Sequence, residues 1–233
     1  MIAPPRAFRF TPARRLASVV CLALLLAHPA DGTSGSDVLW QIVSQCLEPS
    51  VSSYCARCRQ PVAGTCGQSA NCRSTTEIWA KTSEYVAIRD IKMCGCPLDF
   101  VHGLALPRNR VTGVEDPRRP RGIWAFAWEV ARSRIADESE IALVVNPASQ
   151  RTQDQLHVHL VRLAPGARAR AAALPAAHTQ ALDQVWAVAA TVAATAKLDD
   201  YGVLVMRDPG QRDFVVLAEA ASPEQMFAVV SCR

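Results

Sequence analysis

No glycine-rich phosphate loop and no Walker lysine occur in these 233 residues, so neither of those nucleotide cradles is available to the chain. Nor does the N-terminal apolar run, residues 16–27, reach the roughly 20 residues that a membrane-spanning helix needs. Internal repeats are absent, which excludes a solenoid or an array. A compositional mark of disorder is missing too, because half of the residues are hydrophobic and can fill a sizeable core. Finally, the chain lacks an overall charge of either sign once its start is set aside. The formal +4 is accounted for by Arg6, Arg9, Arg14 and Arg15, and residues 1–30 hold no acid. A formally neutral body leaves no basic footprint, so no nucleic-acid partner is expected. The run Arg118-Arg119-Pro120-Arg121 reads as a solvated loop, with contact to phosphate or acidic lipid head groups as the alternative.

What the chain does have begins with those thirty residues. A charged start, a short apolar core and the exit His28-Pro29-Ala30 make an export signal, cleaved near Ala30 or retained as a membrane anchor. Residues 31–233 are then one domain. Nine cysteines less Cys21 leave Cys46, Cys55, Cys58, Cys66, Cys72, Cys94, Cys96 and Cys232, and an even number in an exported chain reads as disulfides. Cys55-Ala56-Arg57-Cys58 could open a zinc ribbon, but a second Cys-x-x-Cys at suitable distance is missing, so cross-links are expected over zinc. Residues 50–76, rich in Cys, Ser, Gly, Gln and Arg, form a cross-linked insertion on this reading. Cys232 staples the tail.

Hydrophobic periodicity predicts an α+β fold around a mainly antiparallel sheet. Helices are expected at 37–48, at 123–135 with Trp124, Ala127, Trp128, Ala131 and Ile135 facing the core, and at 179–196. Strands are expected at 84–92, 100–106, 141–145, 202–207 and 213–218, the last two joined by the turn Asp208-Pro209-Gly210-Gln211-Arg212. Residues 164–177 read as linker. The densest chemistry lies in Gln155-Leu156-His157-Val158-His159-Leu160. Strand alternation puts Gln155, His157, His159 and Val161 on one face and Leu156, Val158 and Leu160 on the other. Two imidazoles on one open face supply a nucleophile, an acid/base or a pair of metal ligands. His102 and His178 have no partners in sequence and read as structural or surface residues.

An ordered set of motifs runs along the chain: the N-terminal apolar segment, the helix ending at Cys46, Leu106-Pro107 with Arg110, Gly113 and Glu115, and Ala127-Trp128. It continues with Asn146-Pro147, Gln153-Asp154-Gln155-Leu156-His157-Val158-His159, Tyr201-Gly202, Asp213-Phe214-Val215-Val216-Leu217 and Cys232. This set resembles the bacterial CDP-diacylglycerol pyrophosphatase family, within the histidine triad superfamily of nucleotide hydrolases and transferases. The resemblance implies a histidine-triad-like fold, no cofactor, and hydrolysis of CDP-diacylglycerol to CMP and phosphatidate at the periplasmic face of the inner membrane. It makes His157 the nucleophile that carries CMP, and His159 the third triad member, able to steady or protonate the bridging oxygen. Gln155 stands where the first triad histidine belongs. Its backbone carbonyl can hold the nucleophile's other ring nitrogen as a histidine's would, so Gln155→His is expected to be tolerated. Asn146, Ser149, Arg151 and Gln153, near the strand in sequence, are candidate phosphate donors beside Gln155, and Arg110 follows through its guanidinium fork. Two other readings stay open. One is a zinc hydrolase using His157 and His159 with a third ligand from His102, His178, Asp154 or Glu115. The other is a lipid or nucleotide binder without catalysis.

Overall fold

A computed structural model describes Met1 and residues 37–46, 78–93, 96–97 and 99–232. The expectations for an export segment at 1–30 and for the cysteine insertion at 50–76 fall outside the described residues, Met1 apart. Backbone contacts divide the chain into Met1–Gly32 and Thr33–Arg233, and every element below belongs to the second unit.

Eight strands form one sheet: β1 (Ile78–Lys81), β2 (Tyr85–Arg89), β3 (His102–Pro107), β4 (Ile141–Val145), β5 (Val158–Arg162), β6 (Ala176–Thr179), β7 (Gly202–Arg207) and β8 (Phe214–Glu219). Their order is β1-β2-β3-β5-β4-β7-β8-β6, and all neighbours run antiparallel. The sheet is covered on both faces, which explains why β4 and β7 read as continuous apolar runs. On one face lie helix α2 (Ile123–Arg132), with Trp124 and Trp128 buried, and helix α4 (Val185–Ala196). Trp124 and Trp186 meet edge to face at 4.8 Å between these helices. The expected core stripe of α2 is confirmed, with Ile135 buried just beyond its end.

The opposite face carries two separate apolar clusters. Helix α1 (Val38–Gln41), continued by a wider turn to Cys46, packs Leu39, Ile42 and Val43 on Ile88, Leu104 and Leu106. Helices α3 (Ala167–Ala172) and α5 (Pro223–Phe227) pack Ala167, Ala171 and Phe227 on Val144, Val161 and Leu204. Between the clusters the sheet presents polar side chains. There the candidate site lies.

Two sequence expectations are corrected. Residues 164–177 are not a linker: Ala167 and Ala171 form the buried side of α3, and β6 begins at Ala176. Alanines interleaved with Arg168 and Arg170 gave no apolar stripe to read. Likewise the helix expected at 179–196 starts six residues later, since Ala176–Thr179 pair with β8 as an edge strand. One disulfide is described, Cys96–Cys232, which ties the tail back as expected for Cys232.

Candidate active site

His159 lies in β5 opposite Leu104 of β3 and Val144 of β4, so it faces the gap between the two clusters. His157 sits just before the strand and keeps the same alternation, while Leu156, Val158 and Leu160 enter the opposite core. The predicted division of faces holds for these residues but not for Gln155, which precedes the strand and turns its side chain away from the cavity.

The backbone settles the tautomer of His157. Its Nδ1 is 2.7 Å from the carbonyl oxygen of Gln155. A carbonyl only accepts, so Nδ1 carries the hydrogen and donates it, and Nε2 of the neutral ring keeps its lone pair. Burial pushes His157 below the ordinary imidazole value of 6.5, against that hydrogen bond, which favours the charged ring. The outcome is a neutral ring with one basic nitrogen at physiological pH.

His159 is enclosed differently. Its Nδ1 shares a hydrogen bond of 3.1 Å with Nε2 of His102, a fully buried residue on β3. Its Nε2 is 3.4 Å from Glu224 Oε2. Burial, followed by the charges of His157, His102 and Lys92, holds His159 well below 6.5. That is a poor setting for a proton donor. His102 also lies 3.5 Å from Asp90 Oδ2 and 3.5 Å from Glu224 Oε1. The structural reading of His102 therefore gains content, because it bridges two carboxylates and a site histidine. His178, half-exposed on β6 and 3.7 Å from Asp208, is a surface residue.

Glu224, at the start of α5, is the hub that sequence reasoning missed. It is buried, accepts from Asn146 Nδ2 at 2.8 Å, and pairs with the Lys92 ammonium at 2.5 Å. Burial alone would raise its pKa, but the Lys92 hydrogen bond and charge outweigh that and hold it below the usual carboxylate value. Ser222 caps α5 and donates to Asn146 Oδ1. Ser222-Pro223-Glu224 was a legible helix start. Nothing in the sequence linked it to Lys92, 132 residues earlier.

A cavity of about 560 Å³ opens here, with Val38, Leu39, Ile88 and Leu104 on its apolar side and His157, His159, Asn146, Gln153, Lys92 and Glu224 among its polar lining. The other predicted residues divide. Gln153 lines the cavity and its Oε1 accepts from the Leu39 backbone, tying α1 to the loop before β5. Arg151 lines it too, but gives both terminal nitrogens to Glu115 at 2.8 Å and also approaches Asp154. Ser149 is exposed and its backbone N–H donates to Asp200. Arg110 lies outside the lining, paired with Asp37 and set over the Trp40 ring. The Gln155 side chain is buried away from the cavity, donating to the carbonyls of Pro107 and Asn109 and accepting from the Val111 N–H.

The arrangement defines an α+β protein with a histidine-centred site, in which one neutral imidazole keeps a lone-pair nitrogen at a partly enclosed cavity. Residues 34–180 match the family CDP-diacylglycerol pyrophosphatase, and the chain belongs to it. A CDP-diacylglycerol pyrophosphatase of Mycobacterium bovis (strain BCG / Pasteur 1173P2) is 39% identical over 67 residues, covering 24% of this chain and 26% of that protein. A probable CDP-diacylglycerol pyrophosphatase of Mycobacterium leprae (strain TN) is 40% identical over 73 residues, 27% of each chain. The aligned stretch spans about a quarter of the length of these curated relatives.

Proposed function

We propose that this protein hydrolyses CDP-diacylglycerol to CMP and phosphatidate through a CMP-histidine intermediate, on a histidine-triad-like fold. The observation that carries the reading is the 2.7 Å bond from His157 Nδ1 to the Gln155 carbonyl, which leaves Nε2 as the lone-pair nitrogen. Family membership supplies the substrate class. In the first step Nε2 forms a bond to the phosphorus next to cytidine. The bond from that phosphorus to the bridging oxygen breaks, and its electron pair leaves on phosphatidate. Water then attacks the same phosphorus, the N–P bond returns its electrons to Nε2, and a proton passes to solvent. His159, clamped between His102 and Glu224, holds the floor of the site. Its burial argues for positioning rather than proton delivery.

We place the protein outside the cytoplasm, working at a membrane surface. The cysteine content and the residues before 31 support this. Among the described residues no helix is long and apolar enough to cross a membrane.

The test is acid quenching during turnover of CDP-diacylglycerol, followed by peptide mapping. An acid-labile CMP adduct on His157 is expected, together with less than a few per cent of wild-type turnover in a folded His157→Ala protein. An active His157→Ala variant would end the covalent reading. A metal-dependent reading has one observation of its own: ligand atoms of Asp90, His102 and His159 lie within 4.8 Å of one another. That grouping excludes His157, so bound metal with chelator-sensitive activity would favour it over the covalent route.

A further inference from the structure

The proposed reaction expels a phosphate monoester, and such a leaving group differs from an alcohol or an amine. Its second pKa is near 6, as in phosphoserine, so it departs at neutral pH without needing a proton. It needs neutralisation of the charge that builds on its oxygens. A buried neutral imidazole such as His159 supplies little of that.

Three cations line the cavity among the described residues: Arg89, Lys92 and Arg151. Arg151 is spread across Glu115 and Asp154, with its side chain 11% exposed. Arg89 donates to the Met93 carbonyl. Lys92 differs from both. Its side chain is 41% exposed, and its ammonium rests on Glu224 Oε1, the carboxylate that also borders His102 and His159. An ammonium has three donors on a flexible stem, so a lysine held by one carboxylate oxygen can turn its remaining donors to a ligand. The short turn Ile91–Met93 that carries Lys92 is itself anchored, since the Lys92 N–H donates to Asp90 Oδ1 at 2.9 Å. Burial is the main reason that His102, His157 and His159 are lowered, and the positive charge of Lys92 adds to it at all three rings.

We propose that Lys92 binds the departing phosphate of the substrate, with Glu224 holding the ammonium in place in the cavity that His157 also lines. This rests on the hydrolytic reading above. As the bridging P–O bond breaks, the electron pair settles on an oxygen of phosphatidate, and Lys92 takes up that charge while keeping its own proton. Glu224 sets the position of the ammonium and prevents Lys92 from extending into solvent.

Two substrates separate this role from a structural one. CDP-diacylglycerol in detergent micelles expels a phosphate, whereas the p-nitrophenyl ester of CMP expels a phenolate of comparable acidity with no phosphate oxygens. Both give the same CMP-histidine intermediate. With Lys92→Ala we expect kcat/KM for CDP-diacylglycerol to fall by roughly 10²–10³, and for the nitrophenyl ester to fall at least tenfold less. Lys92→Arg, which keeps the charge, is expected to recover much of the loss on the lipid substrate. Equal losses on the two substrates, or no loss on CDP-diacylglycerol, would overturn the assignment. Failure of the wild-type protein to turn over either compound would overturn the hydrolytic reading as well, and that outcome is distinct from both.

Discussion

At Gln155, one residue serves the site through its backbone and the fold through its side chain. The backbone carbonyl orients His157, while the amide makes three hydrogen bonds to the loop at Pro107, Asn109 and Val111. Gln155→His keeps the carbonyl but replaces two amide donors with the single N–H of a neutral imidazole. A buried carbonyl is then left unpaired, at a cost of about 1–3 kcal/mol. We expect near-normal kcat with a lower Tm, measured by steady-state assay and thermal melt on the same preparation. A collapse of kcat with an unchanged Tm would mean that the amide reaches the substrate. His157 gives a second prediction at this scale. Nucleophilic attack needs the neutral ring, and burial lowers its pKa below 6.5. The acid limb of kcat/KM therefore falls below pH 6.5, so a limb centred above 7 would contradict the assignment.

Secondary-structure elements decide how much of this was legible. The alternation of His157 and His159, the tryptophan stripe of α2 and the pair β7–β8 follow from local periodicity, and they were readable from a few residues each. The hub was not. Lys92 follows β2, Asn146 follows β4 and Glu224 opens α5 after β8, and their meeting depends on the order of the whole sheet, which no local pattern encodes. Position 202 shows how tightly those elements are brought together. A Cβ there would lie 2.5 Å from the Val145 carbonyl, 2.6 Å from Pro223 and 2.8 Å from Pro147. Pro147 follows Asn146, and Pro223 precedes Glu224. Gly202→Ala should thus force β7 away from both, costing about 1–3 kcal/mol and lowering kcat more than a surface change of equal stability cost. Unchanged kcat in a destabilised Gly202→Ala protein would show that the site tolerates movement of its hub.

For the molecule as a whole, three buried histidines make stability depend on pH. Unfolded rings titrate near 6.5, while His102, His157 and His159 are all lowered in the folded state. Below pH 6.5 the unfolded chain therefore binds more protons than the folded one. Their full contribution is present above pH 6.5 and is lost as pH falls, by up to about 1.4 kcal/mol per pH unit for each ring. Urea denaturation should show a clear drop in stability between pH 7.5 and 5.5, smaller in His102→Gln if that variant folds. A flat profile would mean that the rings take up protons in place.

The Cys96–Cys232 bond joins residues 136 apart, so β3 to β8 lie inside a covalent ring while β1 and β2 stand outside it. Held by its two ends and stretched, the oxidised chain would transmit force straight across that ring. The enclosed strands would be shielded from the load whatever their own strength. Reduction would return about 450–490 Å of contour length to the tether, at 3.3–3.6 Å per residue, which single-molecule extension reads directly. Inside the ring, a proteolytic cut at the exposed turn Pro209-Gly210-Gln211-Arg212 would leave both pieces on one covalent thread, so mass would be conserved until a reductant is added.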